Sequence, residues 1–455
     1  MLLNAYLVLV AAINLCNVAG QSPLFAASQG GYYDVVNCLL NSGADINLGD
    51  SLRQSPLFGA SQRGYCDIVK CLFSYGADIN LCDISEQSPL FVASEEGHCD
   101  VVKYVLRSGA DINGCYISEQ SPLFVASKKG HCDVVKCLLI SGADINACDK
   151  YERSPLLVAS HKGHHDVVKC LLSSGADINL RDVDGQSPLS LAVKREHCDV
   201  LTCLLSSGAH INLRDKSGQS LLFAASMYGL SDVVKCLISS GADINLRDTL
   251  LEQSPLFVAS MFGHCDVVKC LLSSDADINV CNNLEQSPLF ESSHQGHCDI
   301  VKCLLSSGAD IKLYNKRGQS PLFAASMSGH CEVVTCLLNS GAEINLRDQQ
   351  GQSSLFIAAM YGRCDVVKCL LSSGANINIC DVTGQSPLFA AAMYGRCDVV
   401  KCLLSYGADI NLRDVDSQSP SHAASSSGYY DIVRLLTAHG ALRDETESNA
   451  FLNSC

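Results

Sequence analysis

The sequence predicts an all-α solenoid of about 13 stacked helix-turn-helix repeats joined by β-hairpin loops. Three observations carry that prediction. A serine marks the start of each copy, at Ser22, Ser55, Ser88, Ser121, Ser154, Ser187, Ser220, Ser254, Ser287, Ser320, Ser353, Ser386 and Ser419. The period is about 33 residues, which belongs to architectures in which one supersecondary unit stacks on copies of itself. All 11 prolines directly follow one of these serines, and only Leu221 and Ser354 take the proline's place. The composition also fits, because no tryptophan and 47% hydrophobic residues suit thin helix-on-helix interfaces rather than one large closed core.

The stretch from Gln385 to Asn411, QSPLFAAAMYGRCDVVKCLLSYGADIN, justifies the elements in order. Ser386 and Pro387 start a helix: the hydroxyl accepts a bond from a free N–H of the first turn, where proline is tolerated. Leu388 to Ala391 continue it, and Gly395 ends it by entering the left-handed region. Asp398 places a carboxylate at the positive end of a second helix, whose apolar face is Val399, Val400, Cys402, Leu403 and Leu404. Gly407 ends that helix. Two short helices bury too little to fold alone, so the unit must stack.

This pattern resembles the ankyrin repeat. The family's TPLHxAAxxGHxxVVxxLLxxGAxxN is matched here by SPLFxASxxGHCDVVKCLLSSGADIN, from residue 21 to about 444. The resemblance implies an intracellular, non-catalytic interaction scaffold that holds a protein partner on its concave face. The expected organisation is a truncated half repeat at residues 1–20, the array at 21–444 and a disordered tail at 445–455. The half repeat is read from Ile13 to Gln21, which aligns without gaps on Ile377 to Gln385. A signal peptide is the alternative, but no Lys or Arg precedes Arg53 to form its basic region. A half repeat at the start also raises the alternative of a targeting portion of a larger channel, kinase or ubiquitin-ligase adaptor. One departure from the family is the usual Ser and Phe, as in Ser88 and Phe91, where Thr and His normally share a hydrogen bond. Phenylalanine packing replaces that bond, and only His422 keeps the histidine.

A net charge of −15 argues against non-specific binding to nucleic acid, and no apolar run is long enough to span a bilayer. Most of the 27 cysteines occupy the repeat positions of Cys397 and Cys402, and the rest lie in loops such as Cys82 and Cys148 or near the termini. The position of Cys402 corresponds to an apolar core position of the family. Equivalent helices stack roughly 8–10 Å apart, beyond disulfide reach, and Cys397 cannot meet Cys402 on its own helix. Reduced thiols and a cytoplasmic protein are therefore expected. His-Cys steps such as His98-Cys99 diverge on a helix and do not supply four convergent zinc ligands. No cofactor and no catalytic set is expected.

The variable column is the pair of residues before the first glycine of each repeat. In ankyrin-like proteins this pair lines the binding face. Here it is basic at Lys128, Lys129, Lys162, Lys194 and Arg195, and turns to Met227, Tyr228, Met261, Phe262, Met360, Tyr361, Met393 and Tyr394. Five of the 6 methionines sit in it. The expectation is a track on the order of 100 Å that reads acidic groups of an extended partner with its basic half and apolar groups with the other. The resemblance also implies that the asparagine closing each GADIN step, such as Asn179 or Asn411, is a candidate for hydroxylation. Irregularities gather mid-chain at Glu196, Thr249 to Glu252, Asp275 and Glu291-Ser292.

Overall fold

Serine and proline start the first helix of each repeat as their chemistry requires. The computed structural model describes residues 12–114, 118–215 and 217–441, so the apolar start at residues 2–11 and the tail from residue 442 lie outside the described residues. Ser386 Oγ accepts the Phe389 N–H at 3.1 Å, and the same cap recurs from Phe25 on Ser22 to His422 on Ser419. Ser187 departs by forming a reciprocal box with Ser190. Each second helix carries Asp, or Glu332, in its first turn. The described residues form 26 helices, from Pro23–Gly30 to Tyr430–Ala438.

The chain divides into two compact units, Met1–Asp215 and Lys216–Cys455. In the first, the first helices Pro23–Gly30, Pro56–Arg63, Pro89–Glu96, Pro122–Lys129, Pro155–Lys162 and Pro188–Lys194 stack on one another in chain order. In the second, the first helices from Leu221–Met227 to Pro420–Ser426 do the same. The core of each layer is built from the Leu and Phe of the first helix and the Val-Val and Leu of the second, such as Leu322, Phe323, Val333, Val334 and Leu337. Phenylalanine thus does fill the place of the family's histidine. At the position of Cys402 the structure corrects the sequence reading: only Cys71 and Cys402 are buried there among the described residues. The others sit half-buried or exposed, because that side of the second helix borders the neighbouring repeat instead of the core.

The connecting segments are turns stabilised by their own side chains, with an isolated antiparallel bridge between Arg347 and Ser353. Asp83 Oδ1, for example, accepts the N–H groups of Ser85 and Gln87, both at 2.8 Å. Successive tips join through the backbone, as in Ile84 N–H to Leu52 O at 2.9 Å. A second ladder runs through the GADIN asparagines. Asn113 Oδ1 accepts the Asp144 N–H at 3.0 Å, and Asn14, from the first described residues, holds Asp45 in the same way. Lys312 interrupts the asparagines and reaches toward Glu343 instead, at 3.9 Å.

The irregular middle is accommodated locally. The extra residue near Thr249 widens one loop, in which Asp248 Oδ1 accepts the N–H of Gln253, while the helices on either side keep their register. Glu291 is buried, and its carboxylate accepts from Gln295 at 2.8 Å. Glu196 and Asp275 take positive φ, 59° and 64°, where other repeats have glycine. A left-handed non-glycine costs about 1 kcal/mol, and stability in an array is local. Turn residues Arg53, Glu86, Glu119 and Glu152 also take positive φ, so the difference lies in Glu196 and Asp275 replacing helix-ending glycines: amide hydrogens in repeats six to nine should exchange before those in repeats two to five, and Asp275→Gly should slow exchange in repeats eight and nine. Uniform protection measured by exchange mass spectrometry would refute this.

Candidate partner-binding face

The column before the first glycine splits into two chemically distinct positions. Its first residue leans on the core: Met227 and Met261 pack against Phe223, Phe257 and Val258. Lys128, Met327 and Met360 are likewise half-buried, whereas Met393 is exposed. Its second residue faces outward, with Tyr228 63%, Phe262 49%, Tyr361 44% and Tyr394 45% exposed. Lys129, Lys162 and Arg195 at this second position are exposed too, and so is Lys194 at the first.

The column's backbone is clamped from the next repeat. His98 donates from Nε2 to the carbonyl of Gln62 at 3.0 Å, His131 to Glu95, His164 to Lys128 and His197 to His161. In the second unit His264 holds Met227, His297 holds Met261 and His330 holds His294. Arg363 and Arg396 take over the role on Met327 and Met360, donating from Nε at 3.1 and 3.0 Å. The glycine between them is needed for space as well as for φ. A Cβ on Gly64 would lie 2.5 Å from the His98 ring. The histidines of the His-Cys steps are therefore spent on carbonyls. Among the described residues no group of three or more His, Cys, Asp and Glu side chains converges as a metal site.

Geometry brings the basic residues onto consecutive helices and partly neutralises them. Lys129 pairs with Glu95 of the preceding repeat at 3.3 Å. Arg195 donates from Nε to His161 Nε2 at 3.1 Å, which keeps that imidazole neutral. The Met and aromatic residues form two patches, Met227–Phe262 and Met360–Tyr394. Between them lie His294, Gln295 and Ser328, with Ser328 Oγ 3.1 Å from His294 Nδ1. The apolar strip expected from the sequence is thus interrupted. Asn179 belongs to the hairpin ladder, its Oδ1 accepting from His210 at 3.3 Å, and the Asn411 N–H donates to Asp409 at 3.0 Å.

Sequence reasoning missed the clamps, although a His or Arg recurring immediately after the first glycine was their visible signal. It also missed the cross-repeat ion pair, which needs the superposition of adjacent repeats to be seen.

Protonation should loosen these contacts. Burial, then Arg195 and Lys162, hold His161 below its ordinary value of 6.5, and burial also lowers His330, whose Nε2 clamps His294 O. A histidine whose pKa is lowered on folding contributes stability that is complete above about pH 6.5 and is lost as pH falls below it. The urea midpoint should drop between about pH 7 and about pH 5. A His161→Asn/His330→Asn variant should show a shallower drop, and an unchanged slope would remove these two groups as the cause.

Stacked helix pairs with a recurring frame and a variable outward column define a helical repeat protein. The family model "Ankyrin repeats (3 copies)" matches residues 2–83, 24–114, 123–215, 156–248, 221–315, 256–348, 289–381 and 355–446, and the chain belongs to the ankyrin repeat family. No curated protein matches the chain. Ankyrin repeats are protein–protein interaction modules and are generally non-catalytic. Among the described residues no helix is long and apolar enough to cross a membrane.

Proposed function

We propose that this protein is a non-catalytic scaffold that holds an extended protein segment on the outward column of its first helices. The observation that carries this reading is the exposure of Tyr228, Phe262, Tyr361 and Tyr394, the first three beside carbonyls clamped from the neighbouring repeat. Rigid aromatic anchors lose little side-chain entropy on binding, and such residues dominate interface energetics. Lys128, Lys129, Lys162, Lys194 and Arg195 form a basic stretch within a protein of net charge −15, which favours acidic or phosphorylated residues of the partner and steers their approach.

Two variants test it by affinity capture with mass spectrometry, followed by titration of the recovered partner. Lys128/Lys129/Lys194/Arg195→Glu should weaken binding and flatten its salt dependence. Tyr228/Phe262/Tyr361/Tyr394→Ala should weaken binding at least about tenfold with little change in salt dependence, since one hot-spot aromatic contributes about 2 kcal/mol. If both variants keep the wild-type circular dichroism and every wild-type partner, the column is not the site.

A further inference from the structure

The cysteines pair diagonally across repeats. A cysteine that opens one second helix meets the cysteine lying deeper in the second helix of the following repeat. Cys99 lies near Cys137 and Cys132 near Cys170 in the first unit. Cys331 lies near Cys369 and Cys364 near Cys402 in the second, and Cys265 and Cys298 stand in the same relation to Cys303 and Cys336. The upper thiol also reaches the neighbouring helix directly. Cys99 Sγ donates to Asp133 O at 3.7 Å, Cys132 to Asp166 O at 3.7 Å, Cys331 to Asp365 O at 3.8 Å and Cys364 to Asp398 O at 3.9 Å. In each case that carbonyl lies one turn before the second cysteine.

Most rungs carry a third group. Lys103, Lys136, Lys302 and Lys368 follow Cys99, Cys132, Cys298 and Cys364 by one turn of the same helix and lie near those thiols, each also pairing with the intervening Asp100, Asp133, Asp299 or Asp365 at 3.8, 3.4, 3.8 and 3.5 Å. An ammonium beside a partly exposed thiol favours the thiolate, which is the nucleophile toward peroxides. Burial pushes the second thiols Cys137, Cys170 and Cys402 up, which suits them to a later step. The rung at Cys132 and Cys170 lines an open groove of about 940 Å³ together with Lys136 and Lys169, so a small oxidant has access. The Cys331 rung has Thr335 in place of lysine, and this hydroxyl lies 3.3 Å from Cys369 Sγ.

We propose that the lysine-flanked diagonal pairs are oxidation sites at which a hydroperoxide converts two facing thiols into a disulfide that staples neighbouring repeats. The Cys99 thiolate attacks one peroxide oxygen, the O–O bond breaks, and Cys99 becomes a sulfenic acid while hydroxide leaves and takes up a proton. Cys137 then gives up its proton and attacks the sulfenic sulfur, expelling hydroxide, which departs as water. Two thiols lose two electrons and hydrogen peroxide is reduced to two waters. The cysteine that opens the helix reacts first and the one in the following repeat resolves it, the arrangement of redox-sensing pairs.

The test uses the full chain, reduced and then treated with limiting hydrogen peroxide, quenched with a thiol alkylator and mapped by peptide mass spectrometry. Cys99–Cys137, Cys132–Cys170, Cys298–Cys336 and Cys364–Cys402 links should form first. Cys331–Cys369 should lag severalfold for want of a lysine, and Cys82, Cys148, Cys281 and Cys380 should stay unlinked. Lys103→Met should slow the first of these links severalfold while leaving the Cys364–Cys402 link unchanged. Cys137→Ser should leave Cys99 as a trappable sulfenic acid. Links scattered among all cysteines, a Cys331 rung as fast as its neighbours, or no links under peroxide that oxidises free glutathione would each overturn the proposal.

Discussion

Phe124→Ala should cost about 3–5 kcal/mol and unfold the middle of the first unit well before the second. Phe124 is fully buried and sits in a continuous apolar cluster with Phe58, Phe91, Val92, Val125, Leu157 and Val158, so its ring bridges several first helices at once. The Arg153 guanidinium lies 5.8 Å from its ring centroid and would lose that face as well. Truncation leaves a cavity that short helices, tied to two neighbours each, cannot close. Because an array stores its stability in nearest-neighbour interfaces, the loss should appear as local opening and not as a lower single transition. Urea titration should become biphasic. Exchange protection should fall in repeats three to five and persist in repeats ten to twelve. A loss of less than about 1 kcal/mol, or a uniform loss of protection, would contradict the role given to this ring.

Gly130→Ala should cost about 2–3 kcal/mol, whereas Gly142→Ala should cost only about 1 kcal/mol. Both glycines have left-handed φ, 87° and 91°, so alanine carries a similar backbone penalty at each. They differ in space. A Cβ at Gly142 meets nothing within 4 Å, while at Gly130 it would lie 2.7 Å from His164 Nδ1. The imidazole would have to swing away and give up its 3.1 Å bond to the Lys128 carbonyl. The difference between the two variants, read from denaturant midpoints, therefore isolates the clamp. It should be accompanied by weaker partner capture for Gly130→Ala alone, because Lys128 and Lys129 lose their fixed backbone. Equal costs at the two positions would show that the clamp adds nothing.

The expectation for the cysteines shows where reading one repeat at a time stops. Comparing equivalent positions, and Cys397 with Cys402 on one helix, gave no partner within reach. The neighbours that exist are Cys364 and Cys402, different positions on successive helices, with Cys364 Sγ donating to the Asp398 carbonyl one turn before Cys402. Likewise Lys129 reads as a free cation until Glu95 is brought beside it.

By itself the sequence determined the repeat and its boundaries. Serine with proline, the recurring glycines and the acidic first turn of the second helix act through bonds between residues close in the chain, so Ser386 capping Phe389 is legible without a fold. The tertiary structure alone decided which member of each column pair turns outward, how histidine or arginine clamps the preceding carbonyl, and which thiols meet. Those contacts join residues a full repeat or more apart. They depend on how far each helix is rotated and shifted against its neighbour, a quantity set by the packing of Phe, Val and Leu between repeats and by no local preference of the chain.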